Sequence, residues 1–369
     1  MLRIFIRRSN DVAYFTGDRA LELEGVRDGD SGWWLRGEGD TRSEHDVAKV
    51  LTGTDRSLVQ GYDLVFAAPR PISILVALDA EHARGIVDAH RASVRASVGY
   101  LEERALIVRD RRGGEDRDER GRWRDIVGFT HGVNRHAEPH LHDHVLVGAR
   151  AEGAHTVLDS RALFAHAVAA DALYRSTLRH EVAQRSSWTA WRSFRGIEHV
   201  AGLDEGYRAI WGGHVAQRGE KVLWRRDEVV AAWANDASKF QALGSIAPPQ
   251  RGARVLDEHS FAGSFEGSTG VTRRQIVQAW ANAARFGQSA SGITRAVDDL
   301  YPELRESRGV REVSISIARA RMTAHVRQAG PRPLEGEALR DWHHLSRERP
   351  GPSSRPDRFD RSDRSDRSR

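Results

Sequence analysis

Cysteine is absent from the 369 residues, which removes disulfide frameworks, thiolate metal sites and cysteine nucleophiles together. Any metal must therefore be held by His, Asp or Glu. Lysine is nearly absent: Lys49, Lys221 and Lys239 are the three in the chain, so arginine carries the basic charge. Long apolar runs are missing too. ISILVAL, Ile72 to Leu78, is too short to cross a bilayer, and MLRIFIRRSND lacks the apolar core and cleavage site of a signal peptide. The chain reads as cytoplasmic, without membrane insertion. No GxxxxGK[ST] stretch occurs, so a nucleotide-driven motor is not encoded.

The 57 basic and 52 acidic side chains leave a net charge of +5. Arginine binds phosphate through a planar fork and stacks on bases, which suits a polyanionic partner. A GC-rich genome produces the same bias.

The length implies two domains, or one large domain with an appendage. LRIFIRR and YDLVFAAP (Tyr62 to Pro69) read as strands, and the segment from Ile72 to about Val108 runs mostly at helical spacing. DRRGGEDRDERGRWR (Asp110 to Arg124) reads as a mixed-charge loop. DIVGFTHGV and LHDHVLVGA flank the turn-rich NRHAEPH, as two adjacent strands joined by a long connection. Thr156 to Arg185 is again helical. These elements place one unit at 1–243, a glycine- and proline-bearing linker at 244–271 and a small helical region at 272–345. The Arg/Ser/Asp repeat of 346–369 has too little apolar surface to pack and reads as disordered.

His131 to Val147, HGVNRHAEPHLHDHVLV, holds five of the 17 histidines. On a strand, residues two apart share a face, so His142 and His144 project together while Asp143 faces the other way. A neighbouring strand can bring His131 alongside. Three converging imidazoles leave coordination positions open, which is a catalytic arrangement, because a closed structural site uses four protein ligands. His136 and His140 fall in the connection and read as exposed loop residues. A divalent ion on neutral ligands keeps its charge and polarises a carbonyl or phosphoryl oxygen. Hydrolysis would then need a base for water, whereas phosphoryl transfer can use a tyrosine nucleophile. Of the six tyrosines, Tyr14 follows the first strand, Tyr62 precedes Asp63, and Tyr100 and Tyr174 sit at core positions of helices.

QGYDLVFAAPRPISIL resembles the GxDLTFSAPKSVS segment of conjugative relaxases of the TrwC/TraI (MobF) type, and HGVNRHAEPHLHDHVLV resembles their HxxSRxxDPQLHTHxVV. The likeness covers roughly residues 1–195. It implies an α+β fold of the HUH endonuclease type: a central antiparallel five-stranded sheet flanked by helices, followed here by a helical C-terminal region and the disordered tail. The implied activity is that of a relaxase. It binds single-stranded or hairpin DNA at a transfer origin and nicks one strand by metal-assisted transesterification, leaving a 5′-phosphotyrosine. Carried over by position, His131, His142 and His144 hold the ion, Mg²⁺ or Mn²⁺, and Tyr14 is the nucleophile. Asp63 orients a ligand histidine or helps to deprotonate the tyrosine, and Arg70 and Arg135 contact DNA.

The chain also departs from the pattern. Phe15, not a second tyrosine, follows Tyr14. DPQ becomes Glu138, Pro139 and His140, and SAPKS becomes Ala67, Ala68, Pro69, Arg70 and Pro71. Asp143 replaces the apolar residue or threonine between the paired histidines, and needs a wet or paired surrounding. Either a helicase, with a coupling protein, is expected to act in trans, or the chain is a relaxase fragment. The same residues are compatible with a rolling-circle replication initiator, although there the tyrosine usually follows the histidine pair, and with a DNA-binding remnant that has lost catalysis.

Overall fold

The computed structural model describes residues 1–8, 32–36, 59–79, 81–112, 115–134, 138–152, 157–186, 191–194, 197–200, 203, 226–237, 256–305 and 311–329. Tyr14, Phe15, Arg135, His136 and the Arg/Ser/Asp tail lie outside the described residues.

In chain order the elements begin with strands β1 (Leu2–Arg7), β2 (Gly32–Arg36) and β3 (Gly61–Ala67), then helices α1 (Arg70–Leu78) and α2 (Ala83–Ala105). Strands β4 (Ile107–Arg112), β5 (Glu115–Arg120), β6 (Ile126–Val133) and β7 (Pro139–Gly148) precede helix α3 (Ser160–Arg185). Then come β8 (Trp191–Phe194), β9 (Ile197–Val200), α4 (Arg226–Ala237) and α5 (Glu258–Gly263). Finally β10 (Gly270–Thr272), α6 (Arg273–Ala283), α7 (Ala290–Leu300), β11 (Glu312–Ser314) and α8 (Ile315–Ala329) follow.

The main sheet is antiparallel and hydrogen-bonded in the order β1-β3-β7-β6-β2. Alternation sets its two faces. Tyr62, Leu64 and Phe66 of β3 are buried on one face, and the β3–β7 register places Val145 and Asp143 on that face as well. The other face carries Asp63 with His142 and His144.

Helices α2 and α3 cover the first face. The pairs Tyr100 with His166, Ser97 with Ala170 and His90 with Tyr174 show that they run antiparallel, since position rises on one as it falls on the other. Tyr100 and Tyr174 are in the core, as their helical positions imply, and burial pushes both phenols above the ordinary tyrosine range. Helix α1 starts straight after Pro69, and its Ser73 hydroxyl accepts the Leu141 amide of β7 at 3.0 Å.

Two stretches differ from the sequence reading. Residues 107–112 and 115–120 are a β-hairpin, not a helix end followed by a loop. Its register sets Arg109 opposite Asp118, Asp110 opposite Arg117, Arg111 opposite Asp116 and Arg112 opposite Glu115. A segment with little apolar content thus still forms strands. Within the span read as a linker, residues 258–263 are helical, because Phe261 and Phe265 are buried and meet edge to face at 5.0 Å.

The C-terminal helices dock on α3. Arg179 of α3 is buried; its Nη1 donates to Glu198 Oε1 at 3.1 Å, and its Nη2 donates to the carbonyls of Ala281 and Ala284 at 3.1 and 3.2 Å. The turn after α6 fits only glycine: Gly287 has φ 77°, and a Cβ there would lie 2.4 Å from both the Ser176 carbonyl oxygen and the His180 nitrogen. Ser289 caps α7, its hydroxyl accepting the Gly292 amide at 3.2 Å.

Candidate metal centre

His131 pairs directly with His142 across β6 and β7, and His144 lies two residues further along β7. The three rings form a near-equilateral set, with centroids 5.2, 5.2 and 5.3 Å apart. One nitrogen from each can be chosen so that all three lie within 4.8 Å of one another. The sequence expectation about direction therefore holds in space: these residues converge on one face.

Hydrogen bonds select the nitrogens that remain for a ligand. His144 Nδ1 lies 2.9 and 3.0 Å from the two Asp63 oxygens, and His142 Nδ1 lies 2.8 Å from the His140 carbonyl oxygen. Carboxylate and carbonyl oxygens accept here, so both Nδ1 atoms carry protons and both Nε2 atoms keep their lone pairs. An outer partner on the far ring nitrogen is the usual way a ligand imidazole is oriented. Burial pushes the His142 pKa down to about 4, against the hydrogen bond to the His140 carbonyl, while His144 pushes it further down. The ring is neutral, with its lone pair available, well below neutral pH.

His140 was legible but misread. It is the first of a His-x-His-x-His series on β7, on the face of the metal-site residues, and its ring is 4.7 Å from that of His142. Burial, followed by the nearby His142 and Arg70, lowers its pKa to about 3. The two-residue period was the available signal; assigning Pro139 and His140 to the connection obscured it.

Arg70, expected at DNA, has a partner within the protein. Its Nη1 donates to Glu138 Oε2 at 3.1 Å and to the Pro139 carbonyl at 3.2 Å. Asn134 Nδ2 donates to the same Glu138 oxygen at 2.6 Å, while the Glu138 amide donates back to Asn134 Oδ1 at 3.0 Å. This cluster clamps the β6–β7 connection onto the start of α1. About 31% of the Arg70 side chain stays exposed, against 6% for Glu138. Asp143 is wholly buried on the back of β7, where it meets His90, so the surrounding it needs is paired and not wet.

The buried histidines set a pH dependence. Burial lowers His142 and His166 to about 4, His166 also feeling Arg274, Arg273 and Arg104, against 6.5 in an unfolded chain. Between these values the unfolded chain binds protons that the folded one refuses, so stability falls as pH drops from about 6.5 towards 4. In chelator, the urea midpoint is expected to be lower at pH 5 than at pH 7.5. Equal midpoints would contradict neutral burial of these rings.

Three comparisons relate the chain to known proteins. The profile of the TrwC relaxase family matches residues 18–255. Over 177 residues the chain is 28% identical to the multifunctional conjugation protein TraI of Escherichia coli (strain K12), a match covering 45% of this chain and 10% of that protein. The chain thus spans about a tenth of that curated relative. A copper-bound structure of the conjugative relaxase TrwC in complex with oriT DNA superposes with a TM-score of 0.52 at 21% identity, covering 65% of this chain and 98% of that one. A metal-bound TrwC–oriT structure gives 0.51 at 20% identity, with the same coverage.

Proposed function

We propose, from the premise that this chain belongs to the TrwC relaxase family, that it nicks single-stranded DNA at a transfer origin and captures the 5′ end on Tyr14. The observation that carries this reading is the triad of imidazole nitrogens within 4.8 Å, with His144 tied to Asp63. The donor set fits a divalent ion: three neutral nitrogen ligands, two with their far nitrogens anchored. His131, His142 and His144 would hold it, as Mg²⁺ or Mn²⁺ in this reading, and the bound ion would supply charge neutralisation at the scissile phosphate. The α+β platform described above, read as the five-stranded HUH sheet, carries these residues on one face.

The remaining steps belong to the chain. The Tyr14 hydroxyl attacks the phosphorus; an O–P bond to tyrosine forms as the P–O3′ bond breaks. The phenolic proton leaves with the reaction, and the 3′ oxygen ends as a free hydroxyl. One phosphoester replaces another, so the strand can be rejoined without ATP. Asp63 acts in this scheme by orienting His144, since both its oxygens face Nδ1. Arg70, through its exposed part, and Arg135 supply phosphate contacts.

Residues 1–243 make up the nuclease unit in this reading, joined through 244–271 to an accessory region that begins at 272. A helicase and a coupling protein are its partners in this reading, in the cytoplasm. No described helix is long and apolar enough to cross a membrane.

The test is a labelled single-stranded oligonucleotide spanning a candidate origin, incubated with Mn²⁺ or Mg²⁺ and run on a denaturing gel. A protein–DNA adduct is expected, and Tyr14→Phe is expected to abolish it while DNA binding in a gel shift stays within about two-fold. Cleaved DNA without an adduct would replace transesterification with hydrolysis. Binding without cleavage would mark a remnant.

A further inference from the structure

Asp143, the residue between the paired histidines, is used by neither ligand binding nor nucleophilic attack. It stands between His142 and His144 on β7, so its side chain points away from them into the layer between sheet and helices, where it is fully buried. Its ion-pair partner among the described residues is His90 of α2, equally buried, with Nε2 3.4 Å from Asp143 Oδ1. His90 Nδ1 in turn lies 2.8 Å from the hydroxyl of Tyr174 on α3, and the two rings meet edge to face at 5.6 Å.

The proton positions follow from the partners. An Nε2 without a proton would set its lone pair against a carboxylate oxygen, so the favourable tautomer carries hydrogen at Nε2 and accepts the Tyr174 hydroxyl at Nδ1. The Tyr174–His90–Asp143 contacts bracket the carboxylate, but neither of its oxygens accepts a hydrogen bond among the described residues. Arg91 of α2 turns instead to Thr130, the cross-strand neighbour of Asp143, with Nε 3.2 Å from Oγ1. Arg95 of the same helix attracts Asp143 electrostatically, but it is exposed to solvent, which screens that attraction. A carboxylate removed from water costs a great deal unless a positive charge compensates it. The next place for such a charge is the other side of the same strand, where His142 and His144 face.

We propose that Asp143 is a charge-bearing positioning residue of the metal centre, strengthening the hold of His131, His142 and His144 on a divalent cation from behind β7. Charges interact more strongly across the dry protein layer than through solvent, and the His90–Tyr174 chain keeps the carboxylate in place. The inference rests on the reading of the three histidines as metal ligands, and the test separates the two.

The full chain is titrated with Mn²⁺ by calorimetry, and thermal unfolding is followed in chelator. Wild type is expected to bind Mn²⁺ and His144→Ala to lose it; if His144→Ala binds as wild type does, the ligand reading itself fails. Asp143→Asn keeps the shape and removes the charge. It is expected to raise the Mn²⁺ Kd by about ten-fold or more, equivalent to about 1.4 kcal/mol, with metal-free stability equal to or above wild type. His90→Leu is expected to show the reverse pattern, lower metal-free stability with Mn²⁺ affinity kept or improved. Unchanged affinity in Asp143→Asn overturns the proposal. So does a fall in affinity accompanied by a matching loss of metal-free stability, which is what a purely structural role would produce.

Discussion

Replacing His144 with alanine is expected to abolish nicking and to remove measurable divalent-ion binding, while affinity for single-stranded DNA stays within a few-fold. His144 occupies two roles at once. It is one corner of the three-nitrogen set, and its Nδ1 is the group that Asp63 holds. With one corner gone, two imidazoles remain, too few to fix an ion in a facial arrangement. The companion change, Asp63→Asn, keeps all three ligands and loses only the anionic anchor. Removing an outer partner of this kind typically costs roughly 10–100-fold in metal affinity or activity, so Asp63→Asn should fall in that range and His144→Ala well beyond it. Calorimetry with Mn²⁺ and the adduct gel measure the two. Adduct formation by His144→Ala at the wild-type rate would remove the metal from the mechanism.

The largest expected effect on stability lies far from the site. Arg179→Leu should lower the stability of the chain by about 3–5 kcal/mol, the usual cost of breaking one side of a buried ion pair. Glu198 would lose its nearer cation, with Arg175 3.7 Å away, and the carbonyls of Ala281 and Ala284 would lose the Arg179 donor. At about 2–4 °C per kcal/mol for a large domain, the melting temperature should fall by about 6–20 °C, read by calorimetry or circular dichroism. The double change Arg179→Leu with Glu198→Leu should recover part of the loss, because no uncompensated charge then remains. A shift below about 1 °C for Arg179→Leu would mean that the helices after Gly270 hold to α3 by apolar packing alone.

These two regions also mark where sequence reasoning succeeded and where it ended. The convergence of His131, His142 and His144 was legible because strand alternation is a local property. His142 and His144 must share a face if 139–148 is a strand, and the turn after Val133 makes β6 and β7 neighbours. The core positions of Tyr100 and Tyr174 followed from helical spacing in the same way. His140 was lost by a boundary error of a few residues, the place where strand assignment is weakest. The hairpin at 107–120 was lost because its charged sequence carries no alternating apolar pattern.

The remaining features depend on separations that no local pattern encodes. Arg70 and Glu138 are 68 positions apart, so a side chain read as a phosphate contact turned out to hold the strand connection as well. Arg179 reaches Ala281 over 102 positions. Asp143 could be marked in advance only as a charge in need of company; the company, His90, comes from a helix on the far side of the sheet.

What the sequence determined by itself was the chemistry available: no thiolates, a pair of histidines two residues apart and an early tyrosine, with Asp63 marked only by the family resemblance. Alternation along a strand is dictated by backbone geometry, so these could be read without a fold. The tertiary structure alone decided which buried charges found partners, because burial and pairing arise when distant segments pack and water is excluded. That exclusion makes the Asp63–His144 contact an anchor, ties Arg179 to Glu198, and leaves Asp143 behind the three histidines with His90 as its partner.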